Sequence, residues 1–360
     1  MDEILNKFSV KTAEFILHCD DLDNTLDFYT KELGFLLHTI FPADDPSVAV
    51  ISGYGITIRL KIGDTQQNQG TAIILKCDIS ENKEQTLIAP NGVQIELKAA
   101  DPPFNLPKPR PQILIHRFGK DSEWVSGRAG MQYRDLIPDR AGGFLIGSHI
   151  RIPGAGPVPD YVHYHRIHFQ MIYCLKGSAK LVYEDQGEPF IFREGDCVLQ
   201  PPEIRHRVLE SMGDLEVIEI SSPAEHETHR DHELILPTPE FKPDRKFGVQ
   251  QFLHHRAQNA AWSKWIVDGF TFCDLQVKKA SKGIADVKIV RADSRGKCEL
   301  IRQDRKILFG CILKKNLLFS LSDSEPVRLC EGDSFVIPGG EIYRLSDCSA
   351  GMELLLVEFL

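Results

Sequence analysis

The chain lacks any CxxC pair, and its nine cysteines are scattered along 360 residues. That pattern excludes a zinc ribbon or a regular disulfide framework and is typical of reduced thiols in a cytoplasm. No apolar run approaches the ~20 residues needed to cross a bilayer. The N-terminal MDEILNKFSVK is too polar and too acidic for a signal peptide. We therefore expect a cytoplasmic protein with no membrane partner.

Positive charge is also in short supply. The 42 Lys and Arg residues are outnumbered by 51 Asp and Glu residues, and the formal net charge is −9. Because no basic stripe appears, nucleic acid is excluded as a partner. The apolar and charged fractions of 42% and 26% are ordinary for a globular protein. A length of 360 residues predicts two or three domains.

The first region, residues 10–102, mixes helix and strand signals. AEFILHC is predicted to be a strand, and DLDNTLDFYTKELGF, with apolar residues at 3–4 spacing, a helix. Short strands follow, and a PNG turn precedes VQIEL. The proline-rich DPPFNLPKPRPQ cannot continue a helix or a central strand, so we interpret residues 103–120 as a linker.

Beyond the linker, short strand-like runs such as FLIGSHIRI and LEVIEIS alternate with turn residues, which favours a β-sandwich or barrel. EGDCVLQPPEIRH (194–206) is answered 137 positions later by EGDSFVIPGGEIY (331–343), and WVSGRAGMQYRDL (124–136) resembles WIVDGFTFCDL (265–275). A repeat of this length predicts two copies of one barrel. We place them at 121–226 and 259–360, with a connector at 227–258.

The stretch VHYHRIHFQMIYCLKG (162–177) puts three histidines within six positions. Since alternate residues of a strand face the same side, His163 and His165 can both point into a barrel. Neutral imidazole is the commonest ligand of transition metals in proteins. The pair therefore predicts a metal site, with further ligands from a neighbouring strand and from the hairpin that GDCVLQPPEIRH closes.

The spacing of these residues resembles the two motifs of the cupin family. The first motif, HxH, three or four residues, Glu, six residues, Gly, is matched by His163, His165, Gln170 and Gly177. The second, Gly, five residues, Pro, x, Gly, two residues, His, is matched by Gly195, Pro201, Glu203 and His206. The resemblance implies a mainly β fold of two cupin (double-stranded β-helix, jelly-roll) barrels after a small α+β domain. It also implies a metal held by His163, His165, Gln170 and His206.

This sequence departs from the cupin pattern at two positions. Gln170 stands where most cupins have Glu, and a neutral amide leaves the bound ion with one more positive charge, which should weaken binding of a divalent metal. Glu203 stands where the second motif has glycine, a turn change that we interpret as minor. In the second copy Tyr343 replaces His206 and no HxH is present. We expect one live metal site and one structural copy.

Two other histidine-bearing stretches have less definite interpretations. His149 and Arg151 lie on one face of FLIGSHIRI and Ile150 and Ile152 on the other, so the first pair either reaches the cavity or faces solvent. The run EHETHRDH (225–232) lies in the connector, and we predict a solvated loop.

The N-terminal stretch DDLDNTLDFYTKELGF resembles the first βα unit of the vicinal-oxygen-chelate (glyoxalase, bleomycin-resistance) family, and APNGVQIEL resembles its last strand. The resemblance implies metal-ligand positions at Glu96 and near Glu14. Two carboxylates alone make a poor transition-metal site. We interpret the module as an accessory domain for dimerisation or for covering the barrel, with an independent enzyme as the alternative.

A three-histidine barrel site suits dioxygen chemistry on Fe(II) or Lewis-acid chemistry on Mn, Ni or Zn. We expect a metal-dependent enzyme for a small oxygenated or anionic metabolite, foremost an Fe(II)-dependent dioxygenase. A cupin isomerase or hydrolase and a non-catalytic ligand-binding cupin are the alternatives. Tyr161, Arg151 and Arg205 are candidate substrate contacts by proximity. We also expect a homodimer, because proteins of both families often pair.

Overall fold

The computed structural model describes residues 11–102, 104–119, 123–293, 300–322 and 324–360. Two sequence interpretations concern residues outside these ranges. One is that the N-terminal stretch, here up to residue 10, is not a signal peptide, and the other is the reduced thiol of Cys298. Within them no helix is long and apolar enough to cross a membrane, and the described cysteines are free thiols. The chain divides into two compact units, Met1–Phe104 and Asn105–Leu360.

The described residues of the N-terminal unit form a small α+β domain of seven strands, one α-helix that continues as a π-helix, and two short 3-10 helices at Thr65–Asn68 and Glu81–Lys83. Its strands are β1 (Phe15–Cys19), β2 (Leu36–Phe41), β3 (Val48–Gly53), β4 (Ile56–Ile62), β5 (Ala72–Cys77), β6 (Gln85–Ile88) and β7 (Gln94–Ala99). Asp21 accepts a hydrogen bond from the backbone N–H of Asn24 and thereby caps α1 (Leu22–Asp27), which continues as a π-helix over Phe28–Glu32. This is the predicted helix, and β1 is the predicted strand before it.

Both sheets of this unit follow one pairing rule. The first has the order β1-β4-β3-β2 with β1 parallel to β4, and the second has the order β5-β7-β6 with β5 parallel to β7. In each sheet the first strand therefore lies beside the last. A core of Tyr29, Phe35, Ile51, Ile58 and Ile95 fills the unit. Its identity as a glyoxalase-like module stays a prediction.

The C-terminal unit consists of two β-barrels, as the repeat predicted. The first barrel contains β9 (Val125–Ser126), β10 (Gln132–Asp135), β11 (Ile146–Ile152), β12 (Ala155–Pro157), β13 (His163–His165), β14 (Phe169–Lys176), β15 (Ser178–Tyr183), β16 (Phe190–Arg193), β17 (Cys197–Leu199), β18 (His206–Met212), β19 (Leu215–Ser222), β20 (Thr228–Arg230) and β23 (Leu253–His255); a separate two-stranded sheet holds β21 (Lys246–Phe247) and β22 (Gln250–Gln251). The second contains β8 (Leu114–His116), β24 (Trp262–Lys264), β25 (Phe270–Asp274), β26 (Ala285–Ala292), β27 (Leu300–Arg302), β28 (Ile307–Lys314), β29 (Asn316–Leu321), β30 (Val327–Cys330), β31 (Ser334–Pro338), β32 (Ile342–Ser346) and β33 (Glu353–Phe359), with the short helix α2 (Val277–Ala280).

The larger sheets of the two barrels have the same strand order. It is β23-β17-β14-β19-β11-β10-β9 in the first barrel and, from the opposite end, β8-β31-β28-β33-β26-β25-β24 in the second. The smaller sheets are β16-β15-β18-β13-β20 and β27-β32-β29-β30. Two facing sheets with this connectivity form a jelly roll. The mainly β, two-barrel prediction is confirmed.

The barrels exchange their first strands. β8 precedes the first barrel in the chain but pairs with β31 of the second, while β23 precedes the second barrel but pairs with β17 of the first. The two strands lie in QILIHR (112–117) and QFLHHR (251–256), so the repeat begins further upstream than the sequence analysis recognised. Part of the stretch predicted as a linker is therefore a strand, and the predicted connector contains four short strands, β20 to β23.

The shared EGD tripeptides fasten the exchanged strands. Asp333 accepts hydrogen bonds from the backbone N–H groups of Phe118 (2.7 Å) and Cys330 (2.9 Å). Asp196 accepts the equivalent bonds from Ala257 (2.8 Å) and Arg193 (3.0 Å). Both aspartates are buried. Each also contacts a cationic or imidazole side chain of the exchanged segment, Arg117 or His254.

The glycines of these tripeptides let the exchanged segments approach closely. Gly195 and Gly332 have φ values of 84° and 86°, which favour glycine. A Cβ at Gly195 would lie 2.8 Å from the Cβ of Ala257, and a Cβ at Gly332 would lie 2.9 Å from the ring of Phe118. Each glycine is thus needed both for its backbone conformation and for close approach of the exchanged segment.

An apolar core joins the two barrels. The ring of Phe359 lies 5.5 Å from that of Phe144 and 5.3 Å from that of Phe169, both from the first barrel. Beside this core Arg134 is almost fully buried, and its guanidinium donates to the carbonyl of Gly332 across the junction at 3.3 Å. The barrels therefore pack as one body with a continuous interior.

Removing either EGD carboxylate should destabilise the protein. Asp196→Ala and Asp333→Ala each leave buried backbone N–H groups without their acceptor, so we expect each to lower the free energy of unfolding by about 2–4 kcal/mol. Asp304→Ala, which removes an exposed carboxylate paired with Arg302, should change it by less than about 1 kcal/mol. Denaturant unfolding measures all three, and equal effects would contradict the fastening role.

Candidate metal centre

Three buried histidines meet inside the first barrel. His163 and His165 lie on β13, and His163 is the register partner of His206 on β18. One ring nitrogen of each residue lies within 4.8 Å of those of the other two. The alternation of β13 brings the first two side chains to one side, and the pairing of β13 with β18 supplies the third. Sequence spacing and structure agree on this grouping.

The hydrogen bonds of the three rings determine which nitrogens face the centre. The Nδ1 atoms of His163 and His206 lie 2.8 and 2.9 Å from the carbonyls of Tyr161 and Ile204, and Nδ1 of His165 lies 3.4 Å from the carbonyl of Glu227. Because a carbonyl can only accept, Nδ1 of His163 and Nδ1 of His206 carry the proton, and Nε2 of each carries a lone pair. Nδ1 of His165 lies closer, at 3.2 Å, to the hydroxyl of Thr228, which can donate or accept. Hydrogen bonds from the nitrogen that does not face the metal orient the rings of histidines that ligate metals.

The histidines are neutral in this environment. Burial lowers the pKa of His163 and His206 to about 3 and that of His165 to about 2, assisted at His163 by Arg128 and at the other two by a neighbouring histidine. Neutral imidazole is the form that binds metals. Metal ligation at neutral pH would therefore require no deprotonation of these rings.

Gln170, the fourth predicted ligand, lines the same cavity, and its side-chain oxygen accepts a hydrogen bond from the side-chain amide of Gln200. Nε2 of Gln200 donates to Oε1 of Gln170 at 3.0 Å and lies 3.3 Å from Nε2 of His206. The hydroxyl of Tyr183 donates to Oε1 of Gln200 at 2.5 Å, which orients that amide. Oε1 of Gln170 keeps a second lone pair, so its role as a ligand stays a prediction.

A guanidinium that the sequence analysis did not identify also contacts the triad. A terminal nitrogen of Arg128 lies 3.0 Å from Nε2 of His163, and the other donates to Asp160 at 2.5 Å. The carboxylate of Asp160 is fully buried and also accepts from the backbone N–H of Val208 at 3.0 Å. No spacing rule links Arg128 to residues 35 positions away, so sequence offered no signal for this contact.

One carboxylate lines the cavity, and the sequence did offer a signal for it. On β19 the inward positions are Leu215, Val217 and Glu219, in the alternation that LEVIEIS displays. A charged residue at an inward position of a barrel strand is unexpected for core packing. Oε1 of Glu219 accepts a hydrogen bond from the hydroxyl of Ser221 at 3.0 Å.

The cavity itself is small and mostly apolar. Its volume is about 90 Å³. Apart from the polar groups described above, its walls are formed largely by Met131, Ile150, Ile152, Ile172, Leu181 and Phe192. A volume of this size admits a ligand of only a few non-hydrogen atoms. Apolar walls strengthen electrostatic interactions at the few polar groups inside.

The three predicted substrate contacts lie outside this lining. Arg151 is on the opposite face of β11, where its guanidinium donates to Gln132 and stacks on Trp124. Arg205 pairs with Asp231 at 3.2 Å and stacks on a tyrosine ring. Tyr161 is the nearest of the three, with its ring 5.8 Å from that of His163.

His149 neither reaches the cavity nor faces solvent, the two environments that the sequence analysis considered for it. It is buried at the junction between the barrels, where Arg134 donates to its Nδ1 at 3.0 Å and its Nε2 contacts Glu216 at 2.8 Å. Burial lowers its pKa to about 4, with a further contribution from Arg134.

The run EHETHRDH is not a solvated loop over its whole length. Its Thr228–Arg230 stretch forms β20, which pairs along all three residues of β13, and the ring of His226 lies 5.4 Å from that of His165. The prediction of a solvated loop was therefore wrong for the middle of this run. The pairing was missed because sequence does not reveal which strand β13 has as its neighbour.

The second barrel has no equivalent centre among its described residues. Tyr343, at the position of His206, is buried and stacks on Phe319, which in turn stacks on Phe335 at 4.7 Å. In the N-terminal unit Glu14 pairs with Arg59 and Glu96 with Lys98. A cavity of about 650 Å³ in that unit is lined mainly by apolar side chains, such as Phe15, Ile56 and Leu97.

The lowered histidine pKa values predict how stability depends on pH. As the pH falls below 6.5, the unfolded chain takes up protons on these histidines, whereas the folded barrel does not until the pH approaches 3. The free energy of unfolding of the metal-free protein should therefore fall, by about 1.4 kcal/mol per histidine at about pH 5.5. Denaturant unfolding with chelator should show a shallower decline for His206→Gln, and an unchanged slope would contradict neutral, buried histidines.

The chain resembles known proteins in one domain and in its fold. A cupin-domain family model matches residues 149–221, which contain the three histidines. No curated protein sequence matches the chain. Solved structures of oxalate decarboxylase from Bacillus subtilis share the fold: one at pH 4.6 has 15% identity and a TM-score of 0.50, covering 68% of this chain and 75% of that one.

A second structure, from a study of the Mn(II) centres of the same enzyme, has 14% identity and a TM-score of 0.50 and covers 68% of this chain and 76% of that one. A single-residue variant gives a TM-score of 0.51 at 14% identity with the same coverage. Identities this low show the fold alone. The domain match and the shared fold together support a bicupin, two jelly-roll barrels in one chain.

Proposed function

We propose that the protein is a metal-dependent cupin enzyme that acts on a small anionic metabolite. The observation that carries the proposal is the convergence of three neutral imidazole rings, one nitrogen of each within 4.8 Å of the others, in a small apolar cavity. Three imidazole nitrogens grouped in this way are a typical ligand set for a transition-metal ion. His163, His165 and His206 would hold that ion.

The metal would provide the reactive centre, polarising a bound substrate or accepting dioxygen beside it. The chain's own side chains would bind and orient the substrate. Of the two guanidinium groups in the lining, Arg128 and Arg207, Arg128 is the one that contacts the triad, and its planar group suits a carboxylate. It takes the role that the sequence analysis assigned to Arg151 and Arg205.

The choice of metal and reaction remains open between two proposals. The Fe(II)-dependent dioxygenase is the first, because three neutral ligands leave positions for a chelating substrate and dioxygen. The second is a non-oxidative reaction on Mn(II), which fits as well: the shared fold is that of an oxalate decarboxylase with Mn(II) centres, and a small cavity lined by the guanidinium groups of Arg128 and Arg207 suits a small carboxylate. Nickel or zinc and a non-catalytic binding role are further outcomes of the tests below. The cytoplasmic location and the homodimer stay predictions.

Metal content tests the centre. Protein isolated without chelator should carry about one divalent metal ion per chain, and His163→Ala should lose it because the chelate falls to two histidines. The matched control His232→Ala removes an exposed histidine and should keep the metal. Elemental analysis identifies the ion, and oxygen consumption separates the two reaction classes. A wild-type protein that contains no metal and takes up none on reconstitution would exclude the enzyme proposed.

Glu219 should affect turnover rather than metal binding. Since Gln170 cannot act as a base, Glu219 is the carboxylate of the lining that can exchange a proton with a substrate, and Glu219→Gln should lower kcat by about 10²-fold or more. Metal content should stay unchanged. Glu210→Gln removes an exposed carboxylate from β18 of the same barrel and should leave kcat unchanged. Loss of metal in Glu219→Gln would instead make Glu219 a ligand.

A further inference from the structure

The lone pair on Nε2 of His163 is already in use. Nδ1 of this ring donates to the carbonyl of Tyr161 at 2.8 Å, so the ring has a single acceptor site, Nε2, which lies 3.0 Å from a terminal nitrogen of Arg128. A metal ion would need this same lone pair at about 2.1 Å. One lone pair cannot serve both, and a guanidinium beside a divalent cation is also repelled by it.

We propose that Arg128 and the metal ion compete for His163, and that a small carboxylate bound to Arg128 removes this competition, so that metal and carboxylate bind cooperatively. The inference rests on the proposed function and adds a coupling between its two ligands. Without a metal ion, the guanidinium supplies the hydrogen bond to Nε2 of His163, and the amide of Gln200 lies 3.3 Å from Nε2 of His206. With metal present, the charge of the guanidinium is redirected to the substrate.

The surroundings of Arg128 allow this redirection without breaking its main ion pair. One terminal nitrogen is held by Asp160, whose side chain is fully buried, whereas the side chain of Arg128 is 29% exposed and can move. Its guanidinium also lies 5.3 Å from the ring of Tyr161. Rotation about the Asp160 contact would free the nitrogen now at His163, and a carboxylate could then accept from it.

Linkage makes the coupling reciprocal. If a carboxylate raises the affinity for metal by a given factor, the metal raises the affinity for the carboxylate by the same factor. A glutamate in the place of Gln170 would offset part of the positive charge of the ion with its own negative charge. Because Gln170 is neutral, the four predicted ligands supply no negative charge, and a substrate carboxylate would add to that of Glu219 in the lining.

The test is a titration with Mn(II), followed by the EPR signal of the free ion, in the presence and absence of acetate, which chelates Mn(II) weakly. For the wild type, saturating acetate should tighten Mn(II) binding about tenfold. Arg128→Gln should bind Mn(II) more tightly than the wild type without acetate and should show no acetate effect. Arg193→Gln, which removes an exposed guanidinium from β16 of the same barrel, should behave as the wild type.

Arg128→Gln leaves the buried carboxylate of Asp160 unpaired, so the double variant Arg128→Gln/Asp160→Asn is measured beside it and should give the same result. Weaker Mn(II) binding in both variants, or an acetate effect that persists without Arg128, would overturn the competition while leaving the metal centre intact. Absence of Mn(II) binding in every protein under both conditions would overturn the coupling and the Mn(II) reaction, whereas the elemental analysis described above decides the metal centre itself.

Discussion

Asp196 and Asp333 each accept two backbone hydrogen bonds, one of them from a strand segment that precedes the opposite barrel. Both barrels depend on these bonds, because β23 and β8 complete their larger sheets. Because of the exchange, each barrel is completed by a strand that precedes the other barrel in the chain. The exchange also explains why the most recognisable part of the repeat is a turn: the glycine permits the close approach, and the aspartate supplies the acceptors.

The two copies of the barrel use their interiors differently. In the second, the rings of Phe319, Phe335 and Tyr343 pack together and no metal-binding cluster forms among the described residues. In the first, His206 occupies the position of Tyr343, and the interior keeps a cavity of about 90 Å³ with polar groups on its walls. Close packing of these rings is typical of a protein core, and the structural role expected for the second barrel stays a prediction. The first barrel is less closely packed, because its interior contains the cavity of the candidate site.

The site has an unusual balance of charge for a place that would hold a cation. Its ligand set contains no carboxylate, a guanidinium contacts one ligand, and an amide contacts another. Each of these donors meets a lone pair that a metal would otherwise use. Such a site favours a metal mainly when an anion accompanies it, which links the choice of substrate to the loading of the centre.

Several features followed from the sequence alone. The i, i+2 spacing of His163 and His165 and the motif spacing to His206 predicted the triad, because strand periodicity is a local property. The repeat predicted two barrels, and the apolar pattern of residues 21–35 predicted the helical segment that α1 and the π-helix form.

Other features were decided by tertiary structure. Nothing in the chain near Arg128 indicates that it reaches His163, since the contact joins residues 35 positions apart through the closure of a barrel. The exchange of β8 and β23 and the pairing of β20 with β13 depend on which sheet edges are open once the barrels have formed. Local pattern specifies which face of a strand is apolar; only the folded chain determines which strands and charges become neighbours.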